Sequence, residues 1–160
     1  GDPGPAGGVM PVLKAHSIVA ALRAAFCQDV NRQHLLQQAA DRIQAAGPPY
    51  TSVYLYMVHD SELRLEAYAG RPTEHTTIPV GKGICGSAVA AGTNQNVGDV
   101  TARNEYIACN LDTRSELVVL IRRGDLILGQ IDVDSDQLDP FTPAEESAVQ
   151  QVADALAVLL

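Results

Sequence analysis

Five side chains in the middle and late part of the sequence carry groups that can move protons or electrons. Cys109 sits among small and polar residues in YIACNLDTRSE, and Glu116 closes that stretch. Asp132 and Asp134 follow in GQIDVDS, and Cys85 lies earlier in GKGICGSAVAAG. A free cysteine has a pKa of about 8.5, so only a few per cent is thiolate at neutral pH. Carboxylates beside it lower that fraction further, which argues against a standing thiolate nucleophile. The set suits a reaction in which thiol and substrate are activated together. Carboxylates a few ångströms apart do not all ionise cheaply, so at least one holds its proton toward neutrality and can donate it.

A sulfoxide is a substrate of that kind, because its oxygen needs a proton as its sulfur is attacked. The products are a thioether and a cysteine sulfenic acid, which a second cysteine resolves as a disulfide. Cys85 is the candidate partner, just inside a glycine-flanked helix start whose amide N–H groups suit an anion such as a carboxylate. Blander readings stand beside these. Polar residues alternating along a strand usually form a solvated face, and a lone cysteine usually fills a tight contact. Cys27, at the end of an amphipathic helix, reads as core packing.

The elements that must position these groups are legible from periodicity. Helices are expected over 17–27, with Ser17 as N-cap, and over 31–47, stopped by Gly47 and Pro48-Pro49. Strands are expected over 50–58 and 62–70, joined by a turn at 59–61, with a third extended piece at 76–80. Residues 81–92 form a glycine-rich turn into a short helix, and 95–100 a short strand. SELVVLIRR and DLILGQIDVDS form a hairpin around Gly124. Thr142-Pro143-Ala144-Glu145 reads as a capping box opening a last helix with Val149, Val152, Ala153, Leu156 and Leu159 on one stripe. Side chains alternate across a strand, so Ile131 and Val133 face one way and Gln130, Asp132 and Asp134 the other. The fold class is therefore α+β: about six antiparallel strands, terminal helices on one face, and a loop-covered pocket on the other.

Composition excludes several functions. The net charge is −8 and the only paired basic residues are Arg122-Arg123, so we expect neither nucleic acid nor an anionic membrane surface as a partner. No apolar run approaches the ~18 residues of a membrane span. The four histidines, His16, His34, His59 and His75, show no metal-ligand spacing with one another or with cysteine, so we expect no metal site. Three cysteines, an odd number, argue against a secreted disulfide framework and for a reducing cytoplasm. Residues 1–9 read as a tag or flexible lead, and 10–160 as a single domain.

The segments IPVGKGICGSAVAAGTNQNVGDV, YIACNLDTRSELVV and LGQIDVDS, with FTPAEE after them, resemble a GAF domain. More narrowly they resemble the free methionine-(R)-sulfoxide reductases, which are stand-alone GAF proteins. The resemblance implies that Cys109 attacks the sulfoxide and that Cys85 resolves the sulfenic acid. It implies that Glu116, Asp132 and Asp134 bind substrate and help protonate its oxygen, and that Tyr50, Tyr54 and Ile84 contact it. Tyr50 would replace a Trp. Members commonly carry another cysteine ten residues before the GICG one; here that residue is His75. The expected partners are a free amino-acid-sized ligand and thioredoxin as reductant, with no cofactor; a homodimer through the terminal helices is the commonest expectation. The alternative is a non-catalytic GAF sensor of a small molecule or of redox state.

Overall fold

The structure is a computed structural model that describes residues 10–103 and 112–160. Two helices come first, α1 (Ala15–Cys27) and α2 (Arg32–Gln44). They are followed by β1 (Ser52–His59), β2 (Glu62–Ala69), β3 (Thr77–Pro79), α3 (Gly83–Ala91), β4 (Gln95–Val97) and a 3₁₀ turn at Val100–Ala102. The hairpin β5 (Ser115–Arg123) and β6 (Leu126–Ser135) and the long α4 (Pro143–Leu159) complete the chain. The strands form one antiparallel sheet in the order β3-β2-β1-β6-β5-β4.

Strand alternation divides the sheet into two apolar faces. Val53, Leu55 and Met57 of β1, Leu117, Val119 and Ile121 of β5, and Ile131 and Val133 of β6 pack against α1, α2 and α4. Those helices offer Leu22, Leu36, Ile43, Val149, Val152 and Leu156, all fully buried. Each such side chain contributes about 1.5–3 kcal/mol by leaving water. Tyr54, Tyr56, Val118 and Leu120 face the other way and meet Ile84, Cys85 and Ala88 of α3. This second, smaller layer holds the groups of chemical interest.

Three local expectations are corrected. Helix α1 begins at Ala15, not after Ser17, and its N-cap Lys14 makes no side-chain cap; burial of Ala15, Ile18, Leu22 and Ala25 fixes the start instead. Cys27 is exposed, because it falls off the stripe those four residues define. The Thr142 hydroxyl does cap α4, accepting from the Glu145 N–H at 3.3 Å. The Glu145 carboxylate, however, does not serve the box: it accepts from the backbone N–H groups of Val12 and Leu13 and from the Tyr50 hydroxyl. A buried carboxylate takes the donors that best neutralise it, and here they tie the segment before α1 to α4. The N-cap at α2 is Asn31, whose side chain accepts from His34 N–H at 2.9 Å.

Candidate functional site

The site is built on the β5–β6 pair and closed by α3. Register sets Glu116 opposite Asp134, and Val118 opposite Asp132. On the other side of β6, Asp132 stands opposite Tyr54 of β1. Because Asp132 and Asp134 are two residues apart, both point to the α3 side, as their alternation with Ile131 and Val133 requires. Helix α3 brings Cys85 down onto them. Its start needs Gly83, whose φ of +66° lies in the left-handed region; the turn at that residue sends Cys85 into the sheet.

The Cys85 thiol donates to Glu116 Oε2 at 3.5 Å, and Gln130 Nε2 donates to the Cys85 carbonyl at 3.5 Å. One ligand atom from each of Cys85, Glu116 and Asp132 lies within 4.8 Å of the others. All four groups are buried: Cys85 is 6%, Glu116 4%, Asp132 1% and Asp134 4% exposed. Burial pushes the Cys85 thiol well up, and the charges of Asp132, Glu116 and Asp134 push it further. Burial likewise raises Glu116, against the opposing pull of its bonds to Asp132 and Cys85 and of Arg103. Asp134 is raised well above its ordinary range by burial and by the Glu116 charge. The cluster thus retains protons that isolated carboxyls lose.

Cys85 and Glu116 open on a small hollow, also lined by His75, Ile78, Lys82, Gly83 and Ile84, with about 10 Å³ of free space, room for about one water. Two tyrosines fix the segment that rims it. The Tyr54 hydroxyl donates to the Arg71 carbonyl and the Tyr56 hydroxyl to the His75 carbonyl, each at 2.7 Å. Arg71 is held in turn by a fork to Asp136, both bonds 2.6 Å. The position where the resemblance expects a third cysteine, His75, is therefore on the wall of the hollow.

Of the residues singled out from sequence, Cys85, Glu116, Asp132, Asp134, Tyr54 and Ile84 come together on this face. Tyr50 does not: it lies among the helices, bonded to Glu145 and stacked at a tilt on Phe141, with 5.7 Å between ring centroids. Cys109 lies outside the described residues. Tyr56 and Arg71 were missed as site residues; the shared parity of Tyr54 and Tyr56 was the available signal for the first.

Helices on one side of a six-stranded antiparallel sheet, with a thiol and three carboxyls buried on the other and a small hollow beside them, define an α+β domain built around a small internal site. The GAF domain family model matches residues 31–160, and the chain belongs to that family. It is 33% identical to the free methionine-R-sulfoxide reductase of Escherichia coli over 105 residues, 66% of this chain and 63% of that protein. Among solved structures it is similar to the type II free methionine-R-sulfoxide reductase from Thermoplasma acidophilum. That match has 34% identity and a TM-score of 0.77, covering 80% of this chain and 91% of that one. The free methionine-R-sulfoxide reductase from Neisseria meningitidis in complex with its substrate aligns with a TM-score of 0.83 and 27% identity, covering 92% of this chain and 89% of that one. Among the described residues, no helix is long and apolar enough to cross a membrane.

Proposed function

We propose that this domain reduces free L-methionine-(R)-S-oxide to methionine. The observation that carries the reading is Cys85 and Glu116 on the wall of one hollow, with Asp132 and Asp134 buried beside them, in a chain similar to reductases of that substrate. The hollow holds about one water as it stands, so on this reading its walls part to admit a free amino acid, whose ammonium the carboxylates there attract. The first-turn amides of α3, at Gly83, Ile84 and Cys85, precede its first internal bond, from Gly86 N–H to the Lys82 carbonyl, and suit the substrate carboxylate.

In the proposed cycle Cys109, assigned by the resemblance of its YIAC motif, attacks the sulfoxide sulfur. A protonated carboxyl, Glu116 or Asp134, gives its proton to the sulfoxide oxygen and recovers one from the thiol. Oxygen passes from substrate to cysteine, leaving methionine and a Cys109 sulfenic acid. The Cys85 sulfur then attacks that sulfenic acid. Glu116, bonded to the Cys85 thiol, takes its proton and passes it to the departing hydroxide, giving water and a disulfide. A dithiol of the thioredoxin class reduces the disulfide and closes the cycle.

The test is turnover of free methionine-(R)-sulfoxide with a thioredoxin system, and separately with dithiothreitol. Turnover lost in Cys109→Ser supports the cycle; turnover unchanged in that variant overturns it. A second reading, a non-catalytic sensor, is favoured by His75 at the wall position and by the raised Cys85 thiol, a slow resolving group at neutral pH. Ligand binding by calorimetry without turnover in either assay would select it.

A further inference from the structure

The thiol–carboxyl cluster has a second chemical reading. Cys85, Glu116 and Asp132 come from α3, β5 and β6, far apart in sequence, and still place one donor atom each within 4.8 Å of the others. Around a tetrahedral Zn²⁺, a thiolate at about 2.3 Å and a carboxylate oxygen at about 2.0 Å stand about 3.5 Å apart. Cys85 Sγ and Glu116 Oε2 are 3.5 Å apart. This pair therefore already spans the edge of such a tetrahedron.

An independent observation points to a cation. Asp134 is 4% exposed and lies opposite Glu116, and among the described residues its Oδ1 is buried without a hydrogen-bond partner. Gln130 Oε1, on the same face of β6, is in the same position. Buried acceptors without donors are costly, and a cation satisfies them electrostatically. The hollow gives a path in, because Cys85 and Glu116 form part of its lining.

We propose that Cys85, Glu116 and Asp132 form a binding site for a thiophilic divalent cation of the Zn²⁺ class, with water as fourth ligand and Asp134 beside it. The thiolate selects against Mg²⁺ and Ca²⁺, which take oxygen ligands in greater number. Metal uptake displaces the thiol and carboxyl protons, so binding strengthens as pH rises. The site shares these residues with the reductase reading but does not depend on it, and its test reads metal instead of turnover.

The experiment is a Cd²⁺ titration of the Cys27→Ser/Cys109→Ser variant, in which Cys85 is the sole thiol, followed through the thiolate-to-cadmium charge-transfer absorbance. One equivalent saturates the band, and Glu116→Gln or Asp132→Asn on that background weakens binding about tenfold or more. Both substitutions are near-isosteric and remove a buried charge, so the fold is retained, as circular dichroism checks. In the unaltered chain, one equivalent of Zn²⁺ raises the melting temperature and Glu116→Gln diminishes the shift. Absence of the band at one equivalent, or an affinity unchanged in both carboxyl variants, overturns the proposal.

Discussion

Glu116 and Asp134 stand directly opposite one another on neighbouring strands, both turned into the interior and both nearly inaccessible to water. Like charges in that relation repel at short range, and the sheet register leaves neither side chain an escape. The site is thus kept at the expense of stability, which makes the first prediction run against the usual sense of a core mutation.

Asp134→Asn raises stability at neutral pH, by the roughly 0.5–2 kcal/mol common for a stabilising substitution. The sign follows from the raised folded-state value of Asp134. Its ionisation penalty is present above that value and is relieved as pH falls toward the unfolded value of about 3.9. The gain therefore shrinks with acidification. Urea denaturation of both proteins, with a chelator present, at about pH 7.5 and about pH 4 measures it; a loss of stability in Asp134→Asn at the higher pH would contradict the burial argument.

Gly86→Ala strikes the site through the backbone. A Cβ on Gly86 would sit 2.5 Å from the Pro79 carbonyl oxygen and 3.1 Å from Gly81 N, and both are main-chain atoms that cannot rotate away. Helix α3 has to lift off the β3 turn, taking Cys85 from Glu116. We expect a loss of about 2 kcal/mol or more together with faster alkylation of Cys85 in the folded protein. Gly129→Ala is the control: it clashes equally, at 2.4 Å from the Tyr56 carbonyl, but does not bear on α3. Alkylation of Cys85 accelerating equally in both would show that general loosening is responsible.

A pH-dependent term of opposite sign comes from the surface of β2. Burial raises Glu66, but hydrogen bonds from Arg32 and His59 outweigh it and hold the carboxyl below its usual range. A lowered folded value contributes stability above the unfolded pKa of about 4.3, and that contribution is lost as pH falls through the folded value. Glu66→Gln therefore costs under about 1 kcal/mol at neutral pH, the pair with Arg32 being half exposed. The difference between the two proteins closes once pH falls below that lowered folded value. A gap that persisted there would assign the loss to packing instead of charge.

How far the sequence could be read depended on whether a residue's neighbours were local. The facing of Asp132 and Asp134 followed from alternation with Ile131 and Val133 alone, and β6 obeys it. The pairing of Glu116 with Asp134 needed the register of β5 on β6, which no local pattern supplies. Tyr50 shows the converse error. Its spacing from Tyr54 places it on the pocket face only if β1 is already straight at residue 50. Instead the chain turns there, with Tyr50 N–H bonded to the Gly47 carbonyl and Thr51 N–H to the Pro49 carbonyl, and β1 begins at Ser52. Glu145 was read as a local cap because its partners, Val12, Leu13 and Tyr50, lie at the other end of the sequence.

Tyr50→Phe and Tyr54→Phe should consequently separate stability from binding. Tyr50 donates to the buried Glu145 carboxylate on the helix side, and removing that donor leaves the carboxylate short of one partner at a cost of about 1–3 kcal/mol. The sheet stands between Tyr50 and the hollow, so on the proposed function affinity for free methionine sulfoxide is expected to stay unchanged. Tyr54 donates to the Arg71 carbonyl and holds the segment that carries His75 to the hollow. Its loss lowers affinity severalfold, with a similar or smaller effect on stability because the Arg71 carbonyl is only part-buried. Chemical denaturation and calorimetric titration of the two variants measure both quantities. Equal weakening of binding in the two would return Tyr50 to the pocket face, where its spacing first put it.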